Sequence, residues 1–185
     1  NQYTHVKIPP DNPKDGWTTE IHVDIDSWFE KINKVIYKGN LLIVDYMLEA
    51  NRYYNAKRHE GTMISYQKQR ASSDLLSNPG HCDLTAHLCI EHLEMIAEKY
   101  NLNVLGNVRQ GQALLALGLS EKLHELQHFP SSQLNIALEK RENLLRLVDP
   151  RCLGELRWMA LEKCDQNITN SLPNKLETSF LREDL

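Results

Sequence analysis

The order of elements along this chain predicts an α/β fold, and three observations carry that prediction. Leu41-Leu42-Ile43-Val44 is a continuous apolar run closed by Asp45 and Tyr46, which is how a strand covered on both faces reads. Helical stripes lie on either side of it: Trp28, Phe29, Ile32, Val35 and Ile36 before, and Ile90, Leu93, Ile96 and Ala97 after. Between them, Asp83-Leu84-Thr85-Ala86-His87 alternates polar with apolar residues. An extended backbone there sets Asp83, Thr85 and His87 on one face and turns Leu84, Ala86 and Leu88 toward a core. The polar face runs straight into a helix N-terminus, a junction where folds place ligand-contacting groups.

Taken in order, residues 1–16 are turn-rich, with Pro9-Pro10, Pro13 and Gly16, and read as a surface linker. Trp17 to Val23 carries strand formers and reads as a short extended segment. Asp26 or Ser27 is placed to cap the next helix, and Gly39 to stop it. Asp45 and Tyr46 then stand where a buried strand leaves its sheet, the edge at which open α/β sheets bind ligands. Residues 49–80 lack periodicity and read as a long inserted loop, either solvated or an arm that closes on a substrate. Asn103–Val108 reads as a strand, followed by helical segments around 113–117 and 122–126 and a longest helix after Pro130. Its Leu134, Ala137, Leu138, Leu144, Leu145 and Val148 form a core stripe, and Trp28 and Trp158 are core by default. Glu155–Leu161 reads as a last strand and 163–185 as a polar tail. The sheet so assembled is too small to stand alone.

The totals fit one soluble domain: 185 residues, 41% hydrophobic and 25% charged. A net charge of −4 offers no general attraction to nucleic acid, and no apolar run is long enough to span a bilayer. Cys82, Cys89, Cys152 and Cys164 lack a tight spacing, which suits a reduced, intracellular compartment.

Six motifs occur in a set order: Gly16-Trp17-x-Thr19-Glu20-Ile21, Leu41 to Tyr46, Tyr53-Tyr54, Glu60-Gly61-Thr62, Asp83 to His87, and Leu153-Gly154-Glu155-Leu156. This series closely resembles the C-terminal half of the MidA family of S-adenosylmethionine-dependent methyltransferases, which includes the mitochondrial arginine methyltransferase that assists respiratory complex I assembly. The resemblance covers roughly residues 16–162. It implies the distal part of a class I, Rossmann-like fold, with a mostly parallel sheet, helices on both faces and a long inserted arm. It implies S-adenosylmethionine as cofactor and arginine on a protein, such as a respiratory-complex subunit, as acceptor. It also implies a bacterial cytoplasm or a mitochondrial matrix as the setting. The family's glycine-rich loop and its acidic motif after the fourth strand have no counterpart here, and none of the eight glycines forms a GxGxG. The N-terminal cofactor-binding half is therefore expected to be absent, its place taken by a missing segment or a second copy, and this segment alone to be inactive. Two departures from the family pattern stand out. Met47 stands where the family has Gly, and Cys89-Ile90 where it has Asp-Phe; cysteine caps a helix poorly. A degenerate, non-catalytic interaction protein of the same fold is the alternative.

An arginine acceptor keeps its proton at ordinary pH, so carboxylates must orient it and take up the proton released on methylation. Asp83 is the first candidate for that contact, with a turn or cap role as its plain alternative. His87 is either a proton relay or a hydrogen-bonded structural residue. Asp45, Tyr46, Glu20, Glu60 and Thr85 are expected beside substrate or cofactor. His81, Cys82, His87, Cys89 and His92 invite a metal reading, but their spacing fits no established zinc pattern, and no metal is expected.

Overall fold

The computed structural model describes residues 5–164. In chain order the elements are α1 (Ile25–Val35), β1 (Gly39–Asp45), β2 (Met47–Leu48), α2 (Ala50–Tyr53), β3 (Ile64–Gln67), β4 (Arg70–Ser72), β5 (Asp83–Thr85), β6 (Leu88–Cys89) and α3 (Ile90–Lys99). They continue with β7 (Asn103–Arg109), α4 (Gln110–Ala116), α5 (Leu119–Glu125), α6 (Leu134–Val148) and β8 (Arg157–Lys163). The chain divides into two units, residues 1–36 with 46–101, and residues 37–45 with 102–185. The tail beyond Cys164 lies outside the described residues.

In the first unit β2 and β6 form a short parallel pair, and β4-β3-β5 an antiparallel sheet. The core gathers Leu48, Ala50, Tyr53, Tyr54 and Cys89, with Val6, Ile8 and Trp17 packed against it. The N-terminal linker thus contributes apolar side chains to this core. Residues 49–80 are built, not a bare loop: Tyr53 is fully buried, and β3 and β4 form a hairpin whose Lys68 and Gln69 both adopt positive φ. That conformation is usually reserved for Gly or Asn, so the turn carried no sequence signature.

The segment before α1 also differs from expectation. Trp17 to Val23 forms no strand beyond a single parallel bridge from Thr18 to Glu60, because Glu20 and His22 bond across the chain instead. The N-cap of α1 is Asp24, not Asp26 or Ser27, and its side chain makes no capping bond. The helix ends at Val35, four residues before Gly39, which opens β1 with φ +138°. Phe29 is buried, but Trp28 and Val35 are exposed, so only part of the stripe faces the core.

In the second unit β8 lies between β1 and β7, antiparallel to both. β1 is therefore not a strand enclosed in a parallel sheet. Its burial alternates, with Leu42 50% and Val44 43% exposed, so an apolar face is bare among the described residues. Val108, Ala113 and Ala160 form the core, with Leu105 and Trp158 against it. Gly154 lets its segment touch α6: a Cβ there would lie 2.3 Å from the Val148 carbonyl oxygen. Of the α6 stripe only Ala137 is buried; Leu134, Leu138 and Leu145 are exposed. Among the described residues no helix is long and apolar enough to cross a membrane.

Candidate functional site

The densest polar arrangement in the first unit is a clasp around the Glu20 carboxylate. Gly61 adopts φ +75° and presents the amides of Thr62 and Met63 to Glu20 Oε1 at 2.8 and 2.9 Å. Glu20 Oε2 accepts from the Thr62 and Tyr53 hydroxyls, both at 3.3 Å. The carboxylate fills the space a side chain at 61 would need, since a Cβ there would meet Oε1 at 2.1 Å. Glycine is required at this position twice over, for its φ and for the close approach.

The clasp extends to His87 through its backbone. The His87 amide donates to Thr62 Oγ1 at 3.0 Å, while its carbonyl faces His22 Nε2 at 2.8 Å and the Tyr53 hydroxyl at 3.0 Å. A carbonyl only accepts, so His22 carries its proton on Nε2 and donates. Burial raises the Tyr53 phenol above its ordinary value, and the neighbouring Glu20 charge adds to this, so the hydroxyl stays a donor. Residues 20–22, 53, 61–63 and 87 are locked together by bonds whose charge-assisted members are worth about 1.5–3 kcal/mol each.

The predicted residues divide against this frame. Glu20 is at the centre, and both of its oxygens accept from the protein's own donors. His87 is held by its backbone, and its ring meets Tyr46 edge-on at 6.0 Å. Asp83 and Thr85 lie on β5 with Leu84 between them, and all three are exposed; Leu84 is 54% exposed and does not enter the core. β5 is an edge strand of its sheet among the described residues, paired with β3 alone. The Asp83 carboxylate has no partner among the described residues. Thr85 Oγ1 makes a long bond to the Ile64 carbonyl, 3.4 Å. Asp45 belongs to the second unit, opposite the buried Arg157 in the β1–β8 register. The Glu60 side chain is 76% exposed, beside His59 at 3.7 Å.

Sequence reasoning missed His22 and gave Tyr53 and Thr62 no role. Tyr53 and Thr62 stand inside the ordered motifs, and His22 one residue past the first. Met47 is buried and pairs with Leu88, so its side chain is core. Cys89 is the N-cap of α3 and makes no side-chain capping bond; burial pushes its thiol up to about 11, which leaves it inert. Among the described residues no three His, Cys, Asp or Glu side chains could hold a metal ion, so residues 81–92 supply no ligand set.

Gly61 is filled by Glu20, Gly111 and Gly154 face the Val148 carbonyl, and no glycine belongs to a glycine-rich loop.

Comparison with known proteins places the chain. The model of a family described as "Putative S-adenosyl-L-methionine-dependent methyltransferase" matches residues 2–108, which include the whole clasp. No curated protein matches. Among solved structures, the chain is similar to a "likely methyl transferase from Burkholderia thailandensis bound to S-adenosyl-homocysteine", with a TM-score of 0.74 at 22% identity over 82% of this chain. It is also similar to an uncharacterized protein from Burkholderia thailandensis, with a TM-score of 0.71 at 23% identity over 78% of this chain. The chain spans 39% and 38% of the lengths of these two proteins. With more than half of its residues inside the family match, the chain belongs to this family of S-adenosyl-L-methionine-dependent methyltransferases.

Proposed function

We infer that this chain is the acceptor-binding portion of a MidA-type protein methyltransferase whose acceptor is arginine. The observation that supports it is the family match over residues 2–108, which contains the clasp and the carboxylates beside it. The cofactor supplies an electrophilic methyl group; the described residues hold the acceptor. Guanidinium is planar and always charged, and carboxylates bind it through paired N–H donors. Glu60 and Asp83 are exposed and able to do so, whereas Glu20 is engaged and fixes the backbone just after Glu60. The cofactor loop, on this reading, comes from a further segment of the polypeptide, since a second copy of this chain has no glycine-rich loop either.

The test is transfer of labelled methyl from S-adenosylmethionine by the natural polypeptide that contains this chain, to peptides carrying arginine or lysine. Label on arginine is expected, with turnover lowered at least about tenfold in Glu60→Gln or Asp83→Asn. Label on lysine, or turnover unchanged in both variants, overturns the reading. A second reading, a docking protein without transfer chemistry, is favoured by the lack of a GxGxG in residues 1–185. The same assay decides for it if no label is transferred at all.

A further inference from the structure

Residues 50–59 hold Arg52, Lys57, Arg58 and His59 and no carboxylate, within a chain of net charge −4. These four side chains line an open pocket of 530 Å³, closed off by Asn55, Glu60 and Gly61. Its backbone is fixed: Trp17 Nε1 donates to the Asn55 carbonyl at 3.1 Å, and the Thr18 amide to the His59 carbonyl at 2.9 Å. The Lys57 amide donates to Asn55 Oδ1 at 2.9 Å, and Tyr53 and Tyr54 anchor the segment in the core. Two of the four have no carboxylate partner among the described residues, while His59 lies 3.7 Å from Glu60. Lys57 has no ion pair among the described residues, and Arg58 donates Nε to the Arg52 carbonyl at 3.4 Å without a carboxylate partner. The Arg52–Glu49 contact is long, 3.6 Å.

A second pocket of 450 Å³ shares Glu60 and Gly61 with the first and continues over Met63, Ala71, Ser72 and Leu75. Apart from Glu60 its lining carries no charge, and it borders β4, an edge strand among the described residues. A strand edge offers unpaired amides and carbonyls to an extended peptide. A lone inorganic anion on the basic residues would leave this second, largely uncharged pocket unfilled.

We propose that the two pockets form one trough that binds an acidic segment of the partner protein, its carboxylates on Lys57 and Arg58 and its neutral continuation along β4. This partner assignment rests on the reading of the chain as acting on a protein. Charge on such a groove sets which partner is admitted and how quickly it docks.

The test is fluorescence anisotropy of the 185-residue chain with a labelled nonapeptide of alternating Glu and Gly, against its Gln–Gly counterpart. The acidic peptide is expected to bind at least about tenfold more tightly, to weaken about tenfold in Lys57→Glu, and to weaken as salt rises. Lys57→Gln, at an exposed side chain, keeps the fold and is expected to weaken binding by about threefold. Equal binding of the two peptides, or binding unchanged in both variants, overturns the proposal. Displacement of the peptide by equimolar inorganic phosphate overturns it too, in favour of a small-anion site. No methyl donor enters this assay, so its failure is separate from failure of the transfer reaction.

Discussion

Gly61→Ala tests the clasp where its geometry is tightest. The substitution acts in two ways. An alanine at φ +75° carries backbone strain of about 1 kcal/mol. Its Cβ would also sit 2.1 Å from Glu20 Oε1, so the carboxylate must leave and the Thr62 and Met63 amides lose their acceptor. Losing that charge-assisted pair adds about 2 kcal/mol, for a total of about 3 kcal/mol. Glu20→Ala removes the same acceptor and should cost about 2–3 kcal/mol. In the Glu20→Ala background the alanine at 61 no longer displaces anything, so Gly61→Ala should cost only its strain, about 1 kcal/mol. A double-mutant cycle in urea, followed by far-UV circular dichroism, should therefore give a coupling of about 2 kcal/mol. Additive losses would refute the reasoning, because they would mean that the glycine and the carboxylate do not share one space.

Other expectations concern acid, thiols and the second unit. Lys99 Nζ lies 2.6 Å from Asp26 Oδ1; this hydrogen bond holds the carboxyl below its usual value and the ammonium above its own. A depressed carboxylate stabilises above its unfolded value of about 3.9 and loses that contribution as pH falls through the lowered native one. The raised lysine contributes below about pH 10.4 and loses its share as pH rises through its native value. Asp26→Asn should flatten the stability–pH curve below about pH 4, and an unchanged acid limb would contradict the pairing. Burial lowers His92, so protonation favours the unfolded chain and stability should begin to fall below about pH 6.5; His92→Gln should remove that component of a pH titration of Tm. At pH 8 the exposed Cys152 and Cys164 should react with a chromogenic disulfide in the native chain. Cys89, with about one thiolate in a thousand, should react only in denaturant. In the second unit Gly154→Ala drives a Cβ against the Val148 backbone and should destabilise by about 3 kcal/mol, whereas Gly16→Ala meets no atom within 4 Å and carries only strain. Equal losses for the two would remove the packing argument.

The helices and the long strands were legible because their signals are local. The stripe of α3 and the runs of β1, β7 and β8 stand in the sequence with little ambiguity. The direction of β1 was not legible, since a continuous apolar run reads as enclosed whichever way its neighbour points. β1 instead pairs antiparallel to β8 and leaves Leu42 and Val44 bare. The α6 stripe fails for a related reason: periodicity reports which residues share a face, not whether another element covers it. The clasp was the least legible part. Glu20, His22, Tyr53, Thr62 and His87 are scattered over almost seventy residues, and backbone amides and carbonyls do much of the bonding. Those groups have no residue-type signature, so Gly61 and Thr62 drew no attention of their own. The motif order still marked these segments, because Glu20, Tyr53, Thr62 and His87 each stand in one of those motifs.

The central claim is that this methyltransferase-family chain supplies the acceptor side and not the cofactor cradle. Calorimetric titration with S-adenosyl-homocysteine tests it directly, comparing the 185-residue chain with the natural polypeptide isolated from its source. The account predicts one site per natural polypeptide and no detectable binding to the chain by itself. Equally tight binding to the isolated chain would contradict it by placing the cradle within these residues, and no binding to either would end the case for catalysis.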